Sequence, residues 1–93
     1  MSLSTIRAFD ASAQWRVSPQ VSLRDESFGA LAYNHDNRRL VFLKSTQLVA
    51  LIRQLDGYES VNDALDALIP TGQRERYVKA LASLVTSEIL CGR

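Results

Sequence analysis

At Lys44–Ser45 the hydrophobic period of this chain changes from two residues to three or four. A period of two belongs to strands with one buried face, and a period near 3.6 to helices with one buried stripe. Such a switch confines the fold to a small sheet first and a helical bundle second.

Three strand-like runs precede the switch: Val21-Ser22-Leu23-Arg24, Gly29-Ala30-Leu31-Ala32-Tyr33 and Arg39-Leu40-Val41-Phe42-Leu43. The last two are joined by Asn34-His35-Asp36-Asn37-Arg38, which is rich in residues that tolerate turns. Connections this short reverse the chain and cannot make a parallel crossover, so a three-stranded antiparallel meander is expected. Upstream, Val17-Ser18-Pro19-Gln20 reads as a turn. Residues 1–14 show no sustained period and are expected to form a flexible N-terminal arm, leaving 15–93 as the domain.

Beyond the switch, Ser45 is a good N-cap for a helix whose stripe is Leu48, Val49, Leu51, Ile52 and Leu55, ending at Asp56-Gly57. Ser60 caps a second helix, with Val61, Ala64, Leu65 and Leu68 as its stripe, and Ile69-Pro70-Thr71-Gly72 stops it. The spacing predicts a third helix from about Gln73 to Ser87, with Tyr77, Val78, Leu81, Leu84 and Val85 facing inward. Three strands followed by three short helices is an α+β plan of the winged-helix type, in which the helices cover a sheet too small to stand alone.

With 93 residues there is room for one hydrophobic core. Eleven basic side chains against ten acidic ones leave a net charge of +1, which argues against a dedicated nucleic-acid binder. The single cysteine, Cys91, fits a reducing compartment, and the N-terminus lacks the apolar stretch of a secretory signal. No apolar run approaches the roughly 20 residues that cross a bilayer. A cytoplasmic protein with no membrane partner is expected.

The inventory for catalysis is poor. His35 and Cys91 are each alone of their kind and sit in no metal-ligand or nucleophile-plus-base spacing. Nucleotide-binding and cluster motifs are missing. We therefore expect no catalytic residue, no metal and no cofactor. The carboxylates Asp25-Glu26, Asp63 and Asp66 read as solvated surface.

Arg38, Arg39 and Lys44 flank the third strand, which by its place in the meander is an edge. Charges there guard an edge against aggregation. The same edge offers unpaired N–H and C=O groups to an extended peptide, with the cations holding its acidic side chains.

The segments Trp15 to Arg24, Glu26 to Leu31, Tyr33, and Arg38 to Ser45 resemble the mycofactocin peptide chaperone family, most specifically in FGALAY followed by RRLVFLKS. The turn Asn34-His35-Asp36-Asn37 departs from the family, which more often has an aromatic after a histidine. The family is similar to the peptide chaperone of pyrroloquinoline quinone biosynthesis and to other recognition elements for ribosomally made, modified peptides (RiPP recognition elements). The resemblance implies a winged-helix-like RiPP recognition element whose third strand pairs with the leader of a precursor peptide, the third helix forming the other wall of the groove. The implied partners are the mycofactocin precursor peptide and a radical SAM maturase that decarboxylates its C-terminal tyrosine and cross-links it to the preceding valine. On this plan the peptide-binding residues are Arg38, Arg39, Leu40, Val41, Phe42, Leu43 and Lys44 on the strand side, with Arg74, Tyr77, Val78 and Leu81 opposite. Which strand face lines the groove stays open. The alternative of a winged-helix DNA binder would need a basic recognition helix, and the third helix offers Arg74, Arg76 and Lys79 against Glu75 and Glu88.

Overall fold

The computed structural model describes residues 9–92. Four strands, β1 (Trp15–Val17), β2 (Val21–Glu26), β3 (Gly29–Asn34) and β4 (Leu40–Leu43), precede the helices α1 (Thr46–Gln54), α2 (Val61–Leu68) and α3 (Arg74–Thr86). A fifth strand, β5 (Leu90–Gly92), follows them. The expected α+β plan holds: β2, β3 and β4 form a three-stranded antiparallel sheet in that order, and three helices follow.

A second, two-stranded sheet was not anticipated. In it β1 lies antiparallel to β5, with Trp15 opposite Gly92 and Val17 opposite Leu90. The Ser18 N–H extends the pairing by donating to the Ile89 carbonyl at 2.9 Å. Strands of three residues are too short to display an alternation, so the periodicity passes over them.

Of the expected N-terminal arm, residues 1–8 lie outside the described residues. Residues 9–14 pack against the domain. The rings of Phe9 and Trp15 sit 5.6 Å apart, and the Trp15 indole N–H donates to the Asp10 carbonyl at 2.8 Å. The backbone N–H groups of Val61 and Asn62 donate to the carbonyls of Ala13 and Ala11. The first N–H groups of a helix have no partner inside it, so this segment completes the N-terminus of α2.

The helices are capped as the sequence suggests. Ser45 Oγ accepts from the Leu48 N–H and Ser60 Oγ from the Asp63 N–H, both at 3.1 Å. Each such cap contributes about 1 kcal/mol. At its other end α3 closes with Glu88 at φ 63°, the Glu88 N–H bonding the Val85 carbonyl and the Ile89 N–H the Leu84 carbonyl. This is a Schellman motif with glutamate where glycine is usual.

Strand register divides the sheet into two faces. Ala30 pairs with Leu43 and Ala32 with Val41, and this face packs with Leu51, Ile52, Leu55, Leu81 and Ile89 in the core. Leu31 pairs with Phe42 and Tyr33 with Leu40 on the face turned away. Gly29, at φ 148°, begins β3 where a Cβ would collide with the Leu43 carbonyl oxygen, so β3 and β4 approach there only because the side chain is missing.

Candidate functional site

The third strand expected from the sequence is β4, and it is an edge of its sheet. Its backbone can be followed group by group. The Asn34 N–H bonds the Arg39 carbonyl at 2.9 Å, and Tyr33 lies opposite Leu40 and Ala32 opposite Val41. Bonded and non-bonded pairs alternate in an antiparallel ladder. Val41 and Leu43 therefore spend their N–H and C=O groups on β3, while those of Leu40 and Phe42 point to the open side.

The same alternation sorts the side chains of β4. Val41 packs against the core and Leu43 is buried, whereas Leu40 and Phe42 are more than half exposed. Arg39 and Lys44 extend the strand at its two ends, and both are exposed, as is Arg38. Among the described residues the ion pairs are Arg24–Glu26, Arg53–Asp25 and Arg74–Asp66. None of them uses Arg38, Arg39 or Lys44. Arg38 holds a left-handed backbone, φ 62°, in the turn between β3 and β4. A non-glycine residue there carries about 1 kcal/mol of strain.

On α3 the expected wall is mostly engaged by the domain itself. Tyr77 is buried and its hydroxyl donates to Gln47 Oε1 in α1 at 2.9 Å. Leu81 is wholly buried. Arg74 turns to α2, pairing with Asp66 at 2.8 Å and hydrogen-bonding Asn62. Val78 alone of the four is half-buried without a polar tie. The engagement of Arg74 also weakens α3 as a basic recognition helix.

Asn34 stands in the sequence as one residue of a polar turn, yet it fixes how the β3–β4 turn sits on the end of α3. It is 3% exposed. Its Oδ1 accepts from the N–H groups of Asp36 and Asn37, and its Nδ2 donates to the Glu88 carbonyl at 2.8 Å. The turn carrying Arg38 is thus bolted to the end of α3. An Asn at the start of a polar turn was the available signal, since such side chains bond the backbone two residues on. Beside it, Ser22 Oγ lies 2.7 Å from His35 Nε2, and Tyr33 meets the imidazole edge-on at 4.7 Å. These contacts hold the exposed turn against β2.

A cleft of about 380 Å³ opens where β1 and β5 meet the β3–β4 turn, lined among others by Trp15, Asn34, Val85 and Cys91 and by no residue of β4. Among the described residues no group of three or more His, Cys, Asp or Glu side chains is placed to hold a metal ion. No helix there is long and apolar enough to cross a membrane.

Fold and edge together define a small α+β domain of winged-helix type with one edge strand flanked by cations that have no ion-pair partner among the described residues. The chain belongs to the peptide chaperone MftB family, whose model matches residues 14–91. It is 36% identical over 86 residues to peptide chaperone MftB of Mycobacterium tuberculosis, covering 91% of this chain and 79% of that one. It is 37% identical over 84 residues to the protein of the same name from Mycobacterium ulcerans, covering 89% and 77%. With that of Mycolicibacterium smegmatis it shares 37% over 83 residues, covering 88% and 81%. No solved structure matches the chain.

Proposed function

We propose that this chain is a cytoplasmic peptide chaperone that takes the leader of a mycofactocin precursor peptide as an added strand on β4 and presents it to a radical SAM maturase. It escorts the peptide and leaves the chemistry to that enzyme. The observation that carries the reading is the open side of β4, where among the described residues the N–H and C=O groups of Leu40 and Phe42 lack strand partners and the flanking cations Arg38, Arg39 and Lys44 lack ion-pair partners. Main-chain pairing supplies affinity for an extended segment, and the cations favour acidic side chains on it. Kinship with proteins named peptide chaperones supports the same role. The strand side of the site is Arg38 to Lys44, and Val78 is the contribution of α3.

Residue-resolved hydrogen exchange with the precursor peptide tests this. The amides of Leu40 and Phe42 should gain protection on binding, while those of Val41 and Leu43, already bonded to β3, should change little. Protection confined to residues 61–68, with none at 40 and 42, would place the peptide elsewhere and overturn the reading. Retention of the radical SAM maturase on the immobilised chaperone–peptide complex tests the second partner.

A further inference from the structure

The large apolar side chains exposed among the described residues are Phe28, Leu40 and Phe42, at 40%, 53% and 56%. Leu40 and Phe42 share the outer face of the sheet, and Phe28 joins them by stacking on Phe42, with ring centroids 6.1 Å apart and planes inclined by 24°. Leu31 and Tyr33, half-exposed, lie opposite Phe42 and Leu40 on β3. An apolar cluster running up to an open edge is a hazard for a lone domain. The other edge of the sheet has nothing like it, since β2 exposes Ser22, Arg24 and Asp25.

Strand geometry names what covers this cluster. The residues whose backbone groups are free are Leu40 and Phe42, and their side chains stand on the outer face. A guest residue bonded to either of them has its own side chain on that face, about 5 Å away between Cβ atoms. On the inner side Leu43, Tyr77 and Leu81 are already buried by the domain, which leaves little surface there to read a guest.

We infer that the outer sheet face, Phe28, Leu40 and Phe42, selects the guest by its outward side chains. The guest class is an extended peptide with apolar residues two apart, facing Leu40 and Phe42, and an acidic residue in line with Lys44. This rests on the proposed strand addition at β4 and adds which side chains of the peptide are read.

The test is affinity for the precursor peptide, by titration calorimetry, for Phe42→Ser, Phe28→Ser and Val78→Ser, each crossed with a serine scan of the leader. Because Phe42 and Phe28 are exposed, both variants should remain folded, and the scan changes only the guest. Loss of the Phe42 ring from a packed cross-strand pair should weaken binding by roughly threefold to fivefold for Phe42→Ser. Phe28→Ser and, on the α3 side of the site, Val78→Ser should each weaken it less, by about twofold. Leader positions coupled to Phe42 should be apolar and recur every second residue. If Leu40 and Phe42 amides become protected yet Phe42→Ser and Phe28→Ser bind like the parent, the outer face only shields the sheet and this inference falls while the strand addition stands. If β4 gains no protection with the parent protein, both fall together.

Discussion

The two edges of the three-stranded sheet are built to opposite ends. On β2, Arg24 pairs with Glu26 and Asp25 pairs with Arg53 of α1, so charged side chains crowd the edge and tie it to the domain. On β4 the side chains are Leu, Val, Phe and Leu, and the flanking cations are left without carboxylate partners among the described residues. Charges and short length are how single domains keep edges from pairing with other chains. β2 follows the charge part of that rule, and β4 departs from it on its whole outward face, where Leu40 and Phe42 stand.

The contrast can be broken most severely at Gly29, which starts β3 between the two edges. Gly29→Ala adds a Cβ against the Leu43 carbonyl at φ 148°. The loss should be about 3 kcal/mol or more, seen as a lower urea midpoint or failure to fold. Next in size is Asn34→Ala, which strands the Glu88 carbonyl and two turn amides. Stability should drop by about 2 kcal/mol, and exchange should rise in the β3–β4 turn while β2 stays quiet. Replacing Arg38, Arg39 and Lys44 together by Glu should weaken peptide binding about tenfold, or ~1.4 kcal/mol, whereas Arg24→Glu on the opposite edge should leave it unchanged within error. Equal losses from the two variants would erase the distinction between the edges. The smallest change sharpens it: Arg38→Gly should raise stability by about 0.5 kcal/mol by relieving the left-handed backbone, and lower peptide affinity by removing the guanidinium. A variant that binds as well as the parent would take Arg38 out of the site.

Much of this was legible in the residues. Ser45 and Ser60 mark their helices because their hydroxyls satisfy amides that the helix cannot, a purely local effect. The meander and its edge followed from short connections. The two-stranded sheet did not, because its partners are distant in the chain and each is too short to carry a pattern. The α3 wall shows a different limit. A helical stripe says that Tyr77 and Leu81 face inward, but burial in a core and lining of a groove produce the same spacing, and only packing separates them. Likewise Arg74 reads as a free cation until α2 is folded beside it. Which β4 side chains turn to the core was undecided in the sequence, since either alternation is compatible with it; the Asn34–Arg39 bond decides the register.

The pairing of β1 with β5 bears on how the domain comes into being. Nearly all the described chain lies between Trp15 and Gly92, while the meander and the helices are built from neighbours in sequence. Contacts between near neighbours form quickly, and those that close a long loop wait for the rest. The pairing of β1 with β5 is therefore expected to form after the sheet carrying β4 and the helices that cover it. Substitutions in β1 or β5 should accordingly speed unfolding and leave the refolding rate nearly untouched.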